Sequence, residues 1–487
     1  MKKMKKNIFY LFLTLAILVA SCELPDNIDP KNAKTASPGS EFMQAHIALV
    51  NQIGSINVNI NISRLLAQYQ SEVTYLTESR YNFSDRQIPD NYSGNIYRGV
   101  LMNLKDCRVN LEAKTVAGDV LVNQKKNQLA ILEILSIYSY QVLVDEFGNV
   151  PYTEALLGAT NSRPKYDDAL TIYKDLVTRI DKVIADINVD FAGFGDFDIM
   201  YGDDMSLWKK FAASLKLRIG MRLADVAGSN AATIVTQAVA TGVFTSQDES
   251  AIQPYTGVSP YVNSYYQEFI LGARKDYCPT NTLVDLMNTL SDPRRAVWFT
   301  PYPSAGVYTG LQYGKTAASS YSKFSHFSDM IRATPTYPVI LLDYVDVEFM
   351  LAEAAERSFV GTPADAEGHY NNAILASMSY WGVSDADAAA YLARPAVAYT
   401  TAAGTYKQKI GTQKWLGLFD QGDEGWTEWR RLDFPVLNVP VGMTYADIPL
   451  RMPYPYNENK MNKANYDAAA AAIGGDEAST KLFWDKF

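Results

Sequence analysis

Histidine is scarce in this chain of 487 residues: His46, His326 and His369 stand far apart, with no metal-ligand spacing. There is no Gly-rich phosphate loop and no Gly-x-Ser-x-Gly elbow. A glycoside hydrolase needs two placed carboxylates, and among 53 acidic residues no pair is marked out. The run Asp196-Phe197-Asp198 to Gly202-Asp203-Asp204 has oxygen ligands for calcium but lacks the twelve-residue loop pattern, so it reads as a solvated acidic turn. The expectation is therefore no catalytic residue, no metal and no cofactor. Cysteine is equally sparse, with Cys22, Cys107 and Cys278 in all. That excludes a disulfide framework, and Cys107 and Cys278 read as two ordinary thiols rather than one bridge. Apolar runs of about 20 residues, as a spanning helix needs, are missing too.

What opens the chain is a shorter run. Lys2, Lys3, Lys5 and Lys6 precede about thirteen nearly unbroken apolar residues, Ile8 to Ala20, the layout of a secretory signal. The run ends in Val19-Ala20-Ser21-Cys22, an aliphatic, small, small, Cys order that resembles the bacterial lipobox, in which the cysteine is acylated and becomes the new N-terminus. Residues 1–21 read as a lipoprotein signal peptide. Removing them strips four lysines and no acid, taking the net charge from −9 to −13. Such an acidic surface argues against nucleic acid or anionic lipid as partner. Membrane attachment then runs through the lipid on Cys22 only, because two acyl groups hold where one is marginal.

Residues 22–40, polar and holding Pro25, Pro30 and Pro38, read as an acylated flexible tether. From 41 to 487 the chain reads as a single domain, with no Ser/Gly-rich linker in its middle. Helical periods recur over Leu129 to Leu143, Tyr166 to Ile187, Met205 to Val226, Ala231 to Ala240, Val345 to Arg357 and Asp365 to Tyr380. The first is apolar on most sides, hence buried, and Phe147-Gly148-Asn149-Val150-Pro151 stops it. Helix, turn, helix at such spacing suggests tetratricopeptide-type stacking. Between about 254 and 327 the period fades and tyrosines crowd in, with Gly, Pro and Ser between them. So long an irregular stretch, rich in rings, points to function.

Five segments in order resemble the SusD/RagB-like nutrient-binding outer-membrane lipoproteins of Bacteroidetes-type bacteria: 136–157, 202–226, 347–357, 410–437 and 451–462. The string Glu428-Trp429-Arg430-Arg431 and the Phe-Gly-x-Val-Pro-Tyr turn at 147 are the most specific. Ala213 stands where those relatives carry Asn. The resemblance implies a mainly α fold, with tetratricopeptide-like helix pairs supporting an irregular, loop-rich ligand-binding half. It implies a lid on a SusC-like TonB-dependent outer-membrane barrel, lipid-anchored and facing the exterior, that captures oligosaccharides or oligopeptides and does no chemistry.

Tyrosine suits either ligand, because its flat face covers sugar C–H faces and it also serves adaptable peptide surfaces. The candidate ligand-binding residues are Tyr75, Tyr81 and Tyr92 in a polar stretch near the mature start, and Tyr261, Tyr265, Tyr266, Trp298, Tyr302, Tyr308 and Tyr313 in the irregular region. Trp415, Phe419, Trp426 and Trp429 read instead as a packing face, and Arg430 and Arg431 as internal clamps. The competing reading is a surface-anchored enzyme acting on carbohydrate or peptide.

Overall fold

A computed structural model describes residues 36–487. The signal peptide, Cys22 and most of the tether lie outside the described residues. The expected tether ends earlier than residue 40. Ser37 accepts a hydrogen bond from the Ser40 amide at 3.1 Å, and helix α1, Pro38–Gly54, starts directly behind that cap with Pro at its first position.

Four helix pairs follow one another along the chain. Helix α1 packs against α2, Met102–Glu112, and α3, Asp119–Phe147, against α4, Ala169–Asp186. Helix α5, Met205–Arg222, packs against α6, Ala231–Thr241. After an interruption that holds α7, Asn281–Leu290, helix α8, Tyr344–Glu356, packs against α9, Ala366–Tyr380. Neighbouring pairs touch through α2 on α3, α4 on α5 and α5 on α8, which makes the stack continuous. Beyond it come α10, Asp385–Leu392, α11, Tyr406–Gly417, α12, Gly422–Leu432, and α13, Lys463–Ala472.

The local chemistry explains the boundaries. Asp168 accepts from the Thr171 amide at the start of α4, and Asp204 from the Ser206 and Leu207 amides at the start of α5. Helix α3 is buried from Ala130 through Phe147 on nearly every side, as its unbroken apolar character requires. It ends where Gly148 takes a φ of +83°, a region closed to most side chains. Ala213 is fully buried inside α5, so the small residue packs there without harm to the fold.

Strands are few. β1, Gln70–Glu72, β2, Val150–Pro151, β3, Tyr166–Asp167, β4, Ala251–Gln253, β5, Tyr277–Pro279, and β6, Val339–Leu342, form three antiparallel pairs, β1 with β5, β2 with β3, and β4 with β6. The mainly α architecture with an irregular half is therefore observed. One expectation within it needs correction, because α7 lies inside the region read as irregular. Thr280 caps it by accepting from the Leu283 amide, and Leu283, Val284, Met287 and Leu290 give it a buried face.

The most unusual element is α12. All eleven of its residues are buried, charged ones included. Trp415, Phe419, Trp426 and Trp429 are all buried, so these rings serve packing as expected. Gly425 is obligatory there, since a Cβ would lie 2.3 Å from the Tyr69 hydroxyl oxygen.

The charges of α12 are absorbed by its neighbours. Arg431 reaches Glu353 at 2.5 Å and Glu428 at 2.7 Å. Lys414 reaches Asp346 at 2.8 Å and Glu428 at 2.9 Å, and Arg218 reaches Asp346 at 2.9 Å. Arg222 pairs with Glu428, with Glu424 at 2.8 Å and with Asp145 at 3.3 Å. Burial alone raises the Glu428 carboxyl, but Arg431, Lys414 and Arg222 outweigh it and hold it well below the usual carboxylate range. Arg430 stacks on Trp426 with 3.7 Å between guanidinium carbon and ring centroid, and donates to the Asp145 carbonyl at 2.7 Å.

Cutting one member out strands the others in a dry interior. Arg431→Leu is expected to cost about 3–5 kcal/mol in urea unfolding. Lys463→Ala, at an exposed pair with Asp467, is expected to cost about 1 kcal/mol at most.

Candidate functional site

The irregular half is held together by backbone pairing between segments distant in sequence. In the β1–β5 pair, Gln70 faces Pro279 and Glu72 faces Tyr277. The amide of Val73 continues the ladder to the Asp276 carbonyl at 2.7 Å, and the Ser319 amide donates to the Val73 carbonyl at 2.7 Å. Leu311 bridges the Pro279 carbonyl and the Asn281 amide at 2.8 Å each. Val73, Cys278 and Leu311 form a small apolar cluster beneath, with Tyr321 and Phe324 packed against it. Residues 70–86 and 277–325 therefore form one surface.

Beyond β1 the chain folds back on Glu72. The Glu72 carboxylate accepts from the Ser79 amide at 3.0 Å and the Ser79 hydroxyl at 2.9 Å. Glu78 is close by but has Arg86 as its ion-pair partner, while Glu72 has none among the described residues. Burial, with Glu78 adding to it, pushes the Glu72 carboxyl up to about 8. Arg80 ties the loop to a third segment, donating to the carbonyls of Gly314 at 2.8 Å and Val441 at 2.9 Å. Gly314 has a φ of +60°, and a Cβ there would sit 2.3 Å from Pro440.

This scaffold sorts the tyrosines into two groups. Tyr75 is 59% exposed and Tyr261 is 46% exposed. Tyr81, Tyr266, Tyr302 and Tyr308 are half-buried. Tyr81 takes a left-handed φ of +64° at the end of a short turn, its ring 6.1 Å from that of Tyr313. Tyr308 lies under Arg295, with 5.6 Å between guanidinium carbon and ring centroid. Tyr445, which the sequence reading did not single out, is 48% exposed beside the same face, and adds to the burial that raises the Tyr81 phenol. Tyr321 stacks flat on His326 at 3.8 Å, and burial pushes its phenol up to about 12.

The other candidates are core residues, and their assignment as ligand platforms is corrected. Trp298 is fully buried, stacked on Phe419 at 4.0 Å and edge-on to Trp381 at 5.3 Å. Tyr265 is buried and donates to the Asp420 carboxylate at 2.8 Å. Tyr313 is buried and donates to the Leu65 carbonyl at 2.7 Å, and Tyr92 is buried and donates to the Asp423 carboxylate. Ring density in a sequence does not separate a platform from a core, because both want large flat side chains.

A cleft of about 480 Å³ opens elsewhere, between residues 87–102, the turn after α3 and residues 454–461. Tyr97, Tyr166 and Tyr454 contribute rings to it, and Tyr166 meets Tyr454 edge-on at 5.0 Å. Its volume lies within the usual range of ligand pockets, about 300–1,000 Å³. The turn at 147 and the segment at 451–462 marked this region as family-like, but nothing in their spacing announced a cavity.

Acid and thiol groups elsewhere are spent on structure. Asp203 accepts from the amides of Gly193 and Gly195, and Asp198 from the Trp208 indole at 2.7 Å. Among the described residues no group of three or more His, Cys, Asp or Glu is placed to hold a metal. Cys107 and Cys278 are buried free thiols.

A protein-family profile for SusD-like chains, described as starch-binding and associating with the outer membrane, matches residues 30–455. Solved structures share the fold. A chitin-binding protein is 25% identical, with a TM-score of 0.79 over 93% of this chain and 100% of its own. A chitin-binding SusD homolog from Flavobacterium johnsoniae is 23% identical, with a TM-score of 0.74 over 92% of this chain and 98% of its own. A SusD homolog from Parabacteroides distasonis is 22% identical, with a TM-score of 0.78 over 92% and 97%. Among curated proteins none matches. The family is one of binding proteins, not enzymes, and is associated with the outer membrane. With the profile spanning most of its length, this chain belongs to the SusD-like family.

Proposed function

We propose that the protein captures oligosaccharides on the tyrosine-bearing face of its irregular half. The observation that carries this reading is that solvent-facing rings, Tyr75 and Tyr445 with half-buried Tyr81, Tyr302 and Tyr308, stand on the loops that β1, β5 and residues 309–325 tie together. Family membership supports it, since the profile is described as starch-binding and two structural relatives are named chitin-binding. Rings cover the apolar faces of sugars, and the amides and acids of 74–95 are within the same stretch to take hydroxyls. In this reading the protein is a hinged lid on a SusC-like TonB-dependent barrel, tethered in the outer membrane by lipid on Cys22 and facing outward.

Starch and chitin oligosaccharides and a peptide library, titrated against the purified protein, test this. Glycan binding without turnover is expected. Binding of peptides alone transfers the face to oligopeptide capture, and hydrolysis of any probe overturns the lid reading in favour of an enzyme. Tyr75→Ala and Tyr81→Asn, the latter because Asn tolerates the left-handed backbone, are each expected to weaken glycan binding by about tenfold, or 1.4 kcal/mol. Affinity that falls instead with Tyr166→Ala places the ligand in the cleft. Trp298→Ala is expected to act on stability, costing about 3–5 kcal/mol.

The loop carrying Tyr75 and Tyr81 is expected to loosen with pH. The folded Glu72 carboxyl titrates near 8, above its unfolded value, so its contribution is fully present below about 4.5 and is lost as pH rises through 8. The thermal midpoint should fall across that window, and Glu72→Gln should flatten the fall. Cys22→Ala should move the protein from the membrane to the soluble fraction.

A further inference from the structure

The described chain begins beside an exposed apolar patch. Pro38 and Gly39 of α1 lie against Phe197, whose ring would be 2.3 Å from a Cβ on Gly39. A groove of about 320 Å³ there is lined by Pro38, Leu111, Leu121, Phe194 and Phe197 together with Lys114, Gln124, Lys125 and Gln128. Leu121 and Phe197 of that lining are 50% and 37% exposed, and the chain neighbours of Leu121, Val120 and Val122, are 65% and 37% exposed. Directly behind Asp119, the three consecutive apolar residues Val120, Leu121 and Val122 expose the first turn of α3 to solvent. The charges are mixed. Lys114 and Lys126 carry no ion pair among the described residues, while Glu112 lies 3.8 Å from Arg108 and Glu41 accepts from Asn110. Apolar side chains flanked by lysines thus make up this patch.

We propose that this patch is a membrane-seating surface that rests in the interface of the lipid leaflet holding the Cys22 anchor. The proposal depends on that anchor. Ala36, at the edge of the patch, follows Cys22 by fourteen residues, which span at most about 50 Å when extended. Residue 36 is the described position nearest Cys22 in sequence, so the patch beside it has the shortest tether to the lipid. Val120, Leu121 and Phe197 are of the kind that insert shallowly at an acyl boundary, and each adds to a lipid attachment that already confines the protein. Seating at the N-terminal end of α1 fixes an orientation. The far end of α1 lies about 25 Å away, given 17 residues, and there Asn51 accepts from Tyr255 at 3.0 Å, next to exposed Val258.

The acylated full chain on phosphatidylcholine vesicles tests this, with an environment-sensitive fluorophore on Leu121→Cys or on Val258→Cys. Cys107 and Cys278 are buried, and burial pushes the Cys107 thiol up to about 12, so neither competes for the label. The expected result is a blue shift and quenching by brominated lipid at position 121, with an aqueous spectrum at 258, and no loss of either at high salt. Retention on vesicles with an aqueous spectrum at 121 overturns the patch while the anchor stands. Equal shifts at both positions, or a shift at 121 that needs an added outer-membrane barrel, overturn it as well. Failure of the acylated chain to stay on vesicles removes the anchor and the patch together.

Discussion

The buried ion network around α12 is the constraint on which the rest of the structure depends. It joins α5 through Arg218 and Arg222, α8 through Asp346 and Glu353, α11 through Lys414, and the end of α3 through Asp145. Those four helices come from three of the helix pairs and the segment beyond them. Charges this deep gain little net stability over apolar packing, yet leaving one unpaired is expensive. The network therefore acts less as glue than as a register: α12 has one position in which its acids and arginines all find partners.

That register carries outward to the irregular half. Helix α12 is seated against residues 63–69, where Gly422 and Gly425 let the backbone and Tyr69 approach. Tyr69 donates to the Trp415 carbonyl at 2.6 Å, and β1 starts at the next residue. From β1 the pairing passes to β5 and to residues 309–325, which set the tyrosine face. A surface with little regular structure is thus positioned by a helical stack through backbone hydrogen bonds and a few close glycine contacts.

Some of these features were legible in the sequence. Helices with strong apolar period were, and apart from the start of α3, which lies ten residues before the expected Leu129, their ends fell within a few residues of the observed ones, because caps such as Asp168, Asp204 and Gly148 are local chemistry. The internal role of Arg430 and Arg431 was legible from their place among tryptophans. Helix α7 was not, since its four apolar positions are few and the tyrosines around it drew the eye to irregular structure. The assignment of Trp298, Tyr265, Tyr313 and Tyr92 to a ligand surface failed for a different reason: each donates or stacks inward on a partner over 100 residues away, Phe419, Asp420, Leu65 and Asp423 respectively.

By itself the sequence determined the helical class, the family resemblance, the expectation of a lipid attachment point at Cys22 and the absence of a recognisable catalytic or metal motif. These are properties of short windows and of composition. Which rings meet solvent, which carboxyl is left without a cation, where a cleft opens and where apolar side chains surround the start of the described chain were decided only by tertiary structure. Most depend on contacts between segments more than a hundred residues apart, and burial is a property of the assembled neighbours, not of the residue.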